Sequence, residues 1–148
     1  MGQVANIERG SHLIAVHLES TMDALAITQG EAHVLAQLHE RGPTAIATLH
    51  HEFGHKRSTL TNVLDRLEQR KLVRRKPNPD DRRSIVVHLT AMGQRAAARV
   101  ADALGELERE LARRVDGRDL AGNDAVTQAL EAIVKQPSPV RKIRSHLP

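Results

Sequence analysis

Apolar residues in the first third of the chain recur at intervals of three and four, which is the period of an amphipathic helix. The pattern predicts a first helix over about residues 4–22. Its apolar side is formed by Ile7, Leu13, Ile14, Leu18 and Met22. Thr28 and Glu31 then have the spacing of a capping box, in which the threonine hydroxyl accepts from the Glu31 amide and the glutamate reaches back. A second helix should start there and end near residues 41–43.

Two further helices are predicted in quick succession. Thr44 is expected to cap a short third helix that buries Ile46, Leu49 and Phe53, and Gly54 is expected to end it. The fourth helix should span about residues 56–69. Its buried stripe is formed by Leu60, Val63, Leu64 and Leu67. The opposite side carries polar groups, which are Ser58, Asn62, Asp65 and Gln69, flanked by Thr59, Arg66 and Thr61.

The hydrophobic period changes after the fourth helix. Residues 72–76 and 84–89 are predicted to be two short strands, because apolar and polar residues alternate in the second of them. The segment between them, Pro77-Asn78-Pro79-Asp80-Asp81, has the composition of a turn. Two strands joined by a charged loop form a hairpin of the kind called a wing, which we place at about residues 72–89.

A long fifth helix should follow, capped by Thr90. Val100, Leu104, Leu107 and Leu111 form a narrow aliphatic seam along it, and such a seam suits a partner helix. Asp116-Gly117 is expected to break the helix, and a sixth helix is predicted near residues 123–135. A protein of 148 residues with this order of elements is about one domain, mainly α-helical with a small β-hairpin.

Composition narrows the class of protein. One Phe and no Tyr or Trp mean that the core must be aliphatic, which suits packed helices. The absence of cysteine excludes disulfides, thiolate metal sites and cysteine-based redox sensing on this chain. The sequence shows neither a signal peptide nor an apolar run long enough to span a bilayer, so we expect a soluble cytoplasmic protein with no membrane partner.

Positive charge is concentrated in one segment. Residues 55–83 hold ten Lys or Arg against four acidic residues, a net charge of +6, whereas the whole chain carries +4. A basic segment on a slightly acidic body is typical of a protein that binds nucleic acid, because neutralising phosphates releases counterions. A merely solvated charged surface is the other interpretation of the charge alone.

The order of elements favours the nucleic-acid interpretation. Two short helices joined through a glycine are followed at once by a basic hairpin. A helix of this width fits the major groove of DNA, where Ser, Thr and Asn can bond to base edges. An arginine-tipped hairpin beside it can enter the minor groove, whose negative potential attracts guanidinium groups.

At this point the sequence resembles the multiple antibiotic resistance regulator (MarR) family of winged helix-turn-helix proteins. The resemblance covers about residues 4–135 and is most specific from 58 to 93. The residues that carry it are Ile27-Thr28-Gln29, Gly42-Pro43-Thr44, Ser58-Thr59-Leu60-Thr61, Leu64-Asp65-Arg66-Leu67-Glu68, Leu72-Val73, Arg75, Asp80-Asp81-Arg82-Arg83-Ser84, Val87-His88-Leu89-Thr90 and Gly93. It implies a homodimeric transcriptional regulator that binds a near-palindromic operator in double-stranded DNA, often released by a small-molecule effector.

The resemblance also implies an organisation of the chain and roles for its residues. Residues 4–27 and 91–135 would be dimerisation helices, 28–90 the winged helix-turn-helix and 137–148 a basic tail. The base readers in the major groove would be Ser58, Thr59, Thr61 and Asn62. Phosphates would be neutralised by Lys56, Arg57 and Arg66. In the wing, Arg82 and Arg83 would enter the minor groove, and Asp81 would hold the wing arginine by a charge-assisted contact.

Other functions stay open or are disfavoured by the sequence. Arg9, His12, His17 and His33 are the plausible polar residues of an effector pocket. A metal-responsive regulator is an alternative, because the chain has nine histidines. However, the adjacent residues His50 and His51 point apart on a helix and would make a poor chelate. We therefore expect no metal site and no cofactor. A winged-helix interaction module without DNA reading is another alternative. No catalytic motif supports an enzyme, so we expect none.

Overall fold

The computed structural model describes residues 2–53 and 57–135. The elements in this part of the chain are α1 (Gln3–Leu25), α2 (Gln29–Arg41), β1 (Thr44–Ala45), α3 (Ile46–Phe53), α4 (Arg57–Gln69), β2 (Val73–Pro77), β3 (Ile85–Leu89), α5 (Ala91–Arg114) and α6 (Gly117–Lys135). They confirm a mainly helical fold with a small antiparallel sheet. Three calls fall outside the described residues: the helix stop at Gly54, the phosphate contact of Lys56 and the basic tail at 137–148.

Two helices start where the sequence predicts, and for the predicted reason. At α2, the hydroxyl of Thr28 accepts from the backbone N–H of Glu31 at 3.2 Å, and the Glu31 carboxylate accepts from the Thr28 N–H at 3.1 Å. This is a complete capping box. At α5, the hydroxyl of Thr90 accepts from the N–H of Gly93 at 3.0 Å. Each cap gives a polar partner to an N–H group that the helix leaves free.

The prediction that Thr44 caps α3 is wrong. Thr44 lies in β1, where it pairs with Val87 of β3, and its hydroxyl donates to the carbonyl of Gly42 at 2.9 Å. The hairpin is therefore part of a three-stranded antiparallel sheet with the order β1-β3-β2. A strand of two residues has too few positions for an alternating pattern, which is why the sequence did not indicate it.

The aliphatic core is built from α2, α3, α4, the wing strands and the first half of α5. The largest fully buried side chains are Leu35, Leu38, Leu49, Leu60, Leu64, Leu67, Val34, Val73, Val87 and Val100. Burying an aliphatic side chain of this size contributes about 1.5–3 kcal/mol. Val100 belongs to this core, so the prediction that it starts a seam for a partner helix is wrong, whereas Leu111 at the far end of that seam is 40% exposed.

The described part of the chain forms two compact units that divide between Leu107 and Glu108, and α6 belongs to the second. This helix starts at Gly117, six residues before its predicted start near residue 123. Asp116 explains the difference, because its carboxylate accepts from the N–H of Arg118 at 2.9 Å. Its carbonyl accepts from the N–H of Asp119 at 3.0 Å. Asp116 therefore caps the helix that it was expected only to precede.

Gly93 allows α5 to lie directly against the start of the wing. A Cβ atom at this position would be 1.8 Å from the carbonyl oxygen of Leu72. The same oxygen accepts a hydrogen bond from the N–H of Thr90 at 3.0 Å. Only glycine fits such a close approach of two backbones. The contact fixes α5 against the junction between α4 and β2.

Candidate nucleic-acid interface

The predicted reading face of α4, formed by Ser58, Thr59, Thr61 and Asn62, is exposed in all four positions. The opposite side of the helix is buried as predicted, with Leu60, Val63, Leu64 and Leu67 each at most 3% exposed. Arg57, predicted to neutralise a phosphate, is also exposed at the first residue of the helix. The burial of one side therefore leaves the hydrogen-bonding side of α4 to solvent.

The four residues of the reading face are not chemically equivalent. The hydroxyl of Thr61 donates to the carbonyl of Arg57 within the helix, at 2.9 Å. While that bond holds, Thr61 presents only lone pairs and can accept from a base amino group. The amide of Asn62 offers both donors and an acceptor, a set that matches the N6 and N7 edge of adenine.

Arg66 has a partner within the protein. Its Nε donates to the carboxylate of Glu31 at 2.7 Å, and the Glu31 side chain is only 4% exposed. This ion pair joins α4 to the capping box of α2. The Arg66 side chain is 48% exposed, so a phosphate contact through its other N–H groups stays a prediction. The pairing of Arg66 with Glu31 was not expected from the sequence.

The wing tip is shaped by its own side chains. Asp81 accepts from the backbone N–H of Arg83 at 3.0 Å, and Asn78 accepts from the N–H of Asp80 at 3.0 Å. The expected charge-assisted contact of Asp81 with a guanidinium is not what the structure shows, because Asp81 orients the wing through the main chain. Arg82 and Arg83 are exposed and form no ion pair within residues 2–53 and 57–135.

Arg75 joins the wing to the reading helix, a role that the sequence analysis missed. Its guanidinium contacts the carboxylate of Asp65 through Nη2 and lies 3.5 Å from Glu68 Oε2 through Nε. Its backbone N–H also donates to Glu68 at 3.2 Å. The strand alternation carries a signal, since Arg75 shares a face with the buried Val73 and must point inward toward α4.

These contacts also shape the charge of the interface. Asp65 and Glu68 are the acidic residues of α4, and both lie against Arg75, whose single positive charge offsets one of their two negative charges. The cations at the wing tip and at Arg57 are left without acidic partners in the described part of the chain. Residues 55–83 as a whole keep a net charge of +6, and positive charge of this kind attracts a phosphate backbone.

A cavity of about 600 Å³ lies beside the reading face, and we name it the α4 cavity. Residues from α1, α2, α3 and α4 line it, as does the cap residue before α2: Ser11, Thr28, Gln29, Gly30, His33, Phe53, Thr59, Val63 and Arg66. The volume falls in the range of ligand pockets. Thr59 and Arg66 belong both to this cavity and to the candidate DNA-binding residues, so the two sites share a wall.

Of the four residues predicted for an effector pocket, one lines the α4 cavity. His33 lines the α4 cavity, where its ring packs edge-to-face on Phe53 with 5.2 Å between ring centroids. Arg9, His12 and His17 lie outside its lining. His17 instead places Nε2 3.1 Å from the carbonyl oxygen of Ala103 on α5. Residues of α2 and α4 line the cavity in their place.

The described residues offer neither a cluster of metal ligands nor a helix suited to a membrane. In that part of the chain, no three His, Cys, Asp or Glu side chains are grouped so that they could hold a metal ion. None of its helices combines the length and the apolar character needed to cross a membrane.

Comparison with known proteins places this geometry in a family. The model of the MarR family matches residues 27–85. Among curated proteins, the chain is 35% identical over 111 residues to the HTH-type transcriptional regulator PecS of Dickeya dadantii (strain 3937). That match covers 73% of this chain and 67% of PecS.

Solved structures share the fold at lower sequence identity. NadR in complex with 4-hydroxyphenylacetate matches with a TM-score of 0.77 and 18% identity, over 88% of this chain and 93% of NadR. Reduced AbfR bound to DNA matches with a TM-score of 0.69 and 23% identity, over 90% of this chain and 92% of AbfR. These similarities confirm the winged-helix architecture.

Proposed function

The chain belongs to the MarR family of DNA-binding transcriptional regulators, and from this premise we propose that it is a repressor that binds a near-palindromic operator as a homodimer. One observation carries the proposal: α4 offers an exposed hydrogen-bonding face, and Arg75 joins it to a wing whose tip carries two exposed arginines, Arg82 and Arg83. A helix and a hairpin fixed to one another can enter adjacent grooves of one duplex. Its curated relatives are transcriptional regulators, and we assign no reaction to this chain.

The proposed contacts divide by chemistry. Ser58, Thr59 and Asn62 would bond to base edges in the major groove, and Thr61 would accept from a base amino group. Arg57 would neutralise a phosphate, with Lys56 beside it in sequence. The guanidinium groups of Arg82 and Arg83 would enter the minor groove. Phosphate contacts set the position on DNA, and base contacts set the sequence that is bound.

A homodimer is supported by the exposed apolar residues of α1. Val4 is 61% exposed, Leu13 53% and Val16 49%. Burial of apolar surface contributes about 25 cal/mol of stabilisation per Å², so a partner subunit that covers these residues of α1 would stabilise the protein. Leu111 in the second half of α5 and Val126 on α6 are further exposed apolar residues. Two copies related by a two-fold axis would present two reading helices to half-sites about one helical turn apart.

We propose that a small organic anion releases the repressor from DNA by entering the α4 cavity. Arg66 and Thr59 line this cavity and lie on the reading helix, so a ligand there would alter the position of α4. NadR, which shares the fold, is known in complex with 4-hydroxyphenylacetate. The cytoplasm, where a bacterial regulator meets both DNA and metabolites, is the proposed location.

Selection of bound sequences from a random pool of duplexes tests the proposal. We expect an enriched motif with two inverted half-sites, bound by a dimer, and affinity that falls steeply with salt. Light scattering on the same preparation gives the mass of the bound species. A stable monomer, or a pool that stays random after selection, would contradict the proposal. Repression itself is tested with a reporter gene placed behind the selected operator.

A further inference from the structure

A second cavity, of about 380 Å³, lies between the end of α1, the α4–β2 junction and the first half of α5. We name it the arginine cavity, because three of its lining residues are Arg70, Arg95 and Arg99. The rest of its lining is apolar: Ala24, Leu25, Leu72, Met92 and Ala96. The lining residues in the described part of the chain include no carboxylate, so the positive charge of the cavity is not neutralised from within.

None of the three guanidinium groups has a carboxylate partner among the described residues. Arg66 and Arg75 are paired with carboxylates. Arg70 instead donates to two backbone carbonyls, of Ala26 and Leu25, at 2.6 Å each, which fixes its position and leaves its charge uncompensated. Arg95 and Arg99 form no ion pair or hydrogen bond with any described residue. Three cations side by side without an acid repel one another, and an anion between them relieves that repulsion.

The apolar lining restricts what kind of anion fits. Met92, Ala96 and the two free arginines follow one another at helical spacing on one side of α5, so the cations stand next to an aliphatic surface. Met92 is 49% exposed, and a ligand that covers it removes apolar area from water. A phosphate of DNA would meet the cations but would leave this aliphatic surface in water. The lining therefore fits a molecule with an anionic head and an aliphatic body.

We propose that the arginine cavity binds a medium-chain aliphatic carboxylate. Its carboxylate would accept from Arg95 and Arg99, since the planar guanidinium fork matches a carboxylate in two parallel bonds. Its hydrocarbon chain would lie on Leu25, Leu72 and Met92. The cavity shares no lining residue with the α4 cavity, so the site is separate from the proposed effector site and from the reading face.

Titration calorimetry with octanoate tests the assignment, with octanamide as the neutral analogue. We expect octanoate to bind once per protomer and octanamide to bind at least roughly tenfold more weakly, because charge-assisted hydrogen bonds are lost. The double variant Arg95→Gln/Arg99→Gln should lose at least roughly tenfold in octanoate affinity. The double variant Arg109→Gln/Arg118→Gln is the matched control, since it removes two exposed cations elsewhere and should bind normally.

Amide chemical shifts in NMR spectra locate the bound octanoate. The dispersion of the same spectra shows whether a variant is folded. Addition of octanoate should move the signals of Leu25 and Ala96 and leave those of Gly30 and Val63, which line the α4 cavity, in place. The Arg95→Gln/Arg99→Gln variant should keep its dispersed spectrum, and its DNA affinity should equal that of the Arg109→Gln/Arg118→Gln control, which has the same net charge. Absence of octanoate binding at millimolar concentration, equal affinity for octanamide, or shifts confined to the α4 cavity would each overturn the proposal.

Discussion

Arg75 on β2 contacts the carboxylate of Asp65 on α4, ten residues earlier in the chain, and so joins the wing to the reading helix. Glu68 adds a second contact, one helical turn further along α4. The Arg75 side chain is 24% exposed, so solvent screens the pair only in part. The angle between the reading helix and the wing therefore depends on these three side chains, and recognition of adjacent grooves depends on that angle.

The Asp65→Asn variant distinguishes the effect of wing orientation on DNA binding from the effect of net charge. Asp65→Asn raises the net charge of the protein by one unit, and electrostatics alone would strengthen its binding to every duplex. We expect non-specific affinity to rise while the ratio of operator to non-specific affinity falls several-fold, because Arg75 loses one of its two acidic partners on α4. Fluorescence anisotropy with the selected operator and a scrambled duplex measures both. Asp102→Asn, which removes an exposed acidic residue on α5, is the control for net charge. The same ratio of operator to non-specific affinity in both variants would contradict the prediction.

Arg83→Ala tests the wing. The side chain is exposed and unpaired in the described part of the chain, so its loss should leave the melting temperature unchanged. Operator affinity should fall by about 1–3 kcal/mol, which is typical for an arginine that contacts DNA. Arg109→Ala, an exposed cation on α5, controls for net charge. Operator binding close to that of the unmodified protein would refute the wing assignment.

Asn62→Ala tests base reading by α4. Asn62 is exposed and makes no hydrogen bond to a described residue, so the protein should fold normally. The expected loss of discrimination is about 1–3 kcal/mol at one base pair of each half-site, with little change in non-specific affinity. Binding measured on a set of single-base operator variants reveals the affected position. Equal weakening on every duplex would remove Asn62 from the readers.

Gly93→Ala tests the close packing of α5 on the wing. The added methyl group would collide with the backbone carbonyl of Leu72, so we expect a loss of about 3 kcal/mol in the free energy of unfolding, at the upper end for overpacking. Gly10→Ala on α1 is the matched control, because open space surrounds that position and alanine there favours a helix by up to about 1 kcal/mol. Urea denaturation measures the free energy of unfolding of both variants. Equal changes in the two would contradict the packing argument.

Arg66→Met tests the ion pair with Glu31. It leaves a buried carboxylate without its cation, and we expect a loss of about 2 kcal/mol in unfolding free energy, discounted because Arg66 is half exposed. The double variant Glu31→Gln/Arg66→Met should recover most of this, since glutamine still completes a capping box and carries no charge. Thermal denaturation gives both values. If the second substitution brought no recovery, the loss would come from packing and not from the unpaired charge.

Much of the fold could be predicted from the sequence because its signals are local. The capping box of α2, the Thr90 cap of α5, the buried stripe of α4 and the turn-rich hairpin each depend on residues within a few positions of one another. The ion pair between Glu31 and Arg66 joins residues 35 positions apart, and no periodicity indicates such a partner. The strand β1 was missed for a similar reason, since its two residues become a strand only by pairing with β3.

The candidate site was predicted in its composition and less well in its contacts. Exposure of Ser58, Thr59, Thr61 and Asn62 follows from the helical period alone. The effector residues were chosen for their polar side chains on α1 and α2, and only His33 lines the α4 cavity. Which polar side chains converge on a cavity depends on how α1, α2 and α4 cross, and that crossing is a tertiary property.

The strand order β1-β3-β2 leaves β2 without a strand neighbour on one side in the described sheet, where the N–H of Arg75 donates to the Glu68 side chain instead. Unpaired strand edges are the places where misassembled chains add to one another and grow into fibrils. Arg74, Lys76 and Pro77 occupy this edge, where like charges repel an incoming copy and proline offers no N–H to it. The cations that suit DNA thus also protect the wing from aggregation while the protein is free of it.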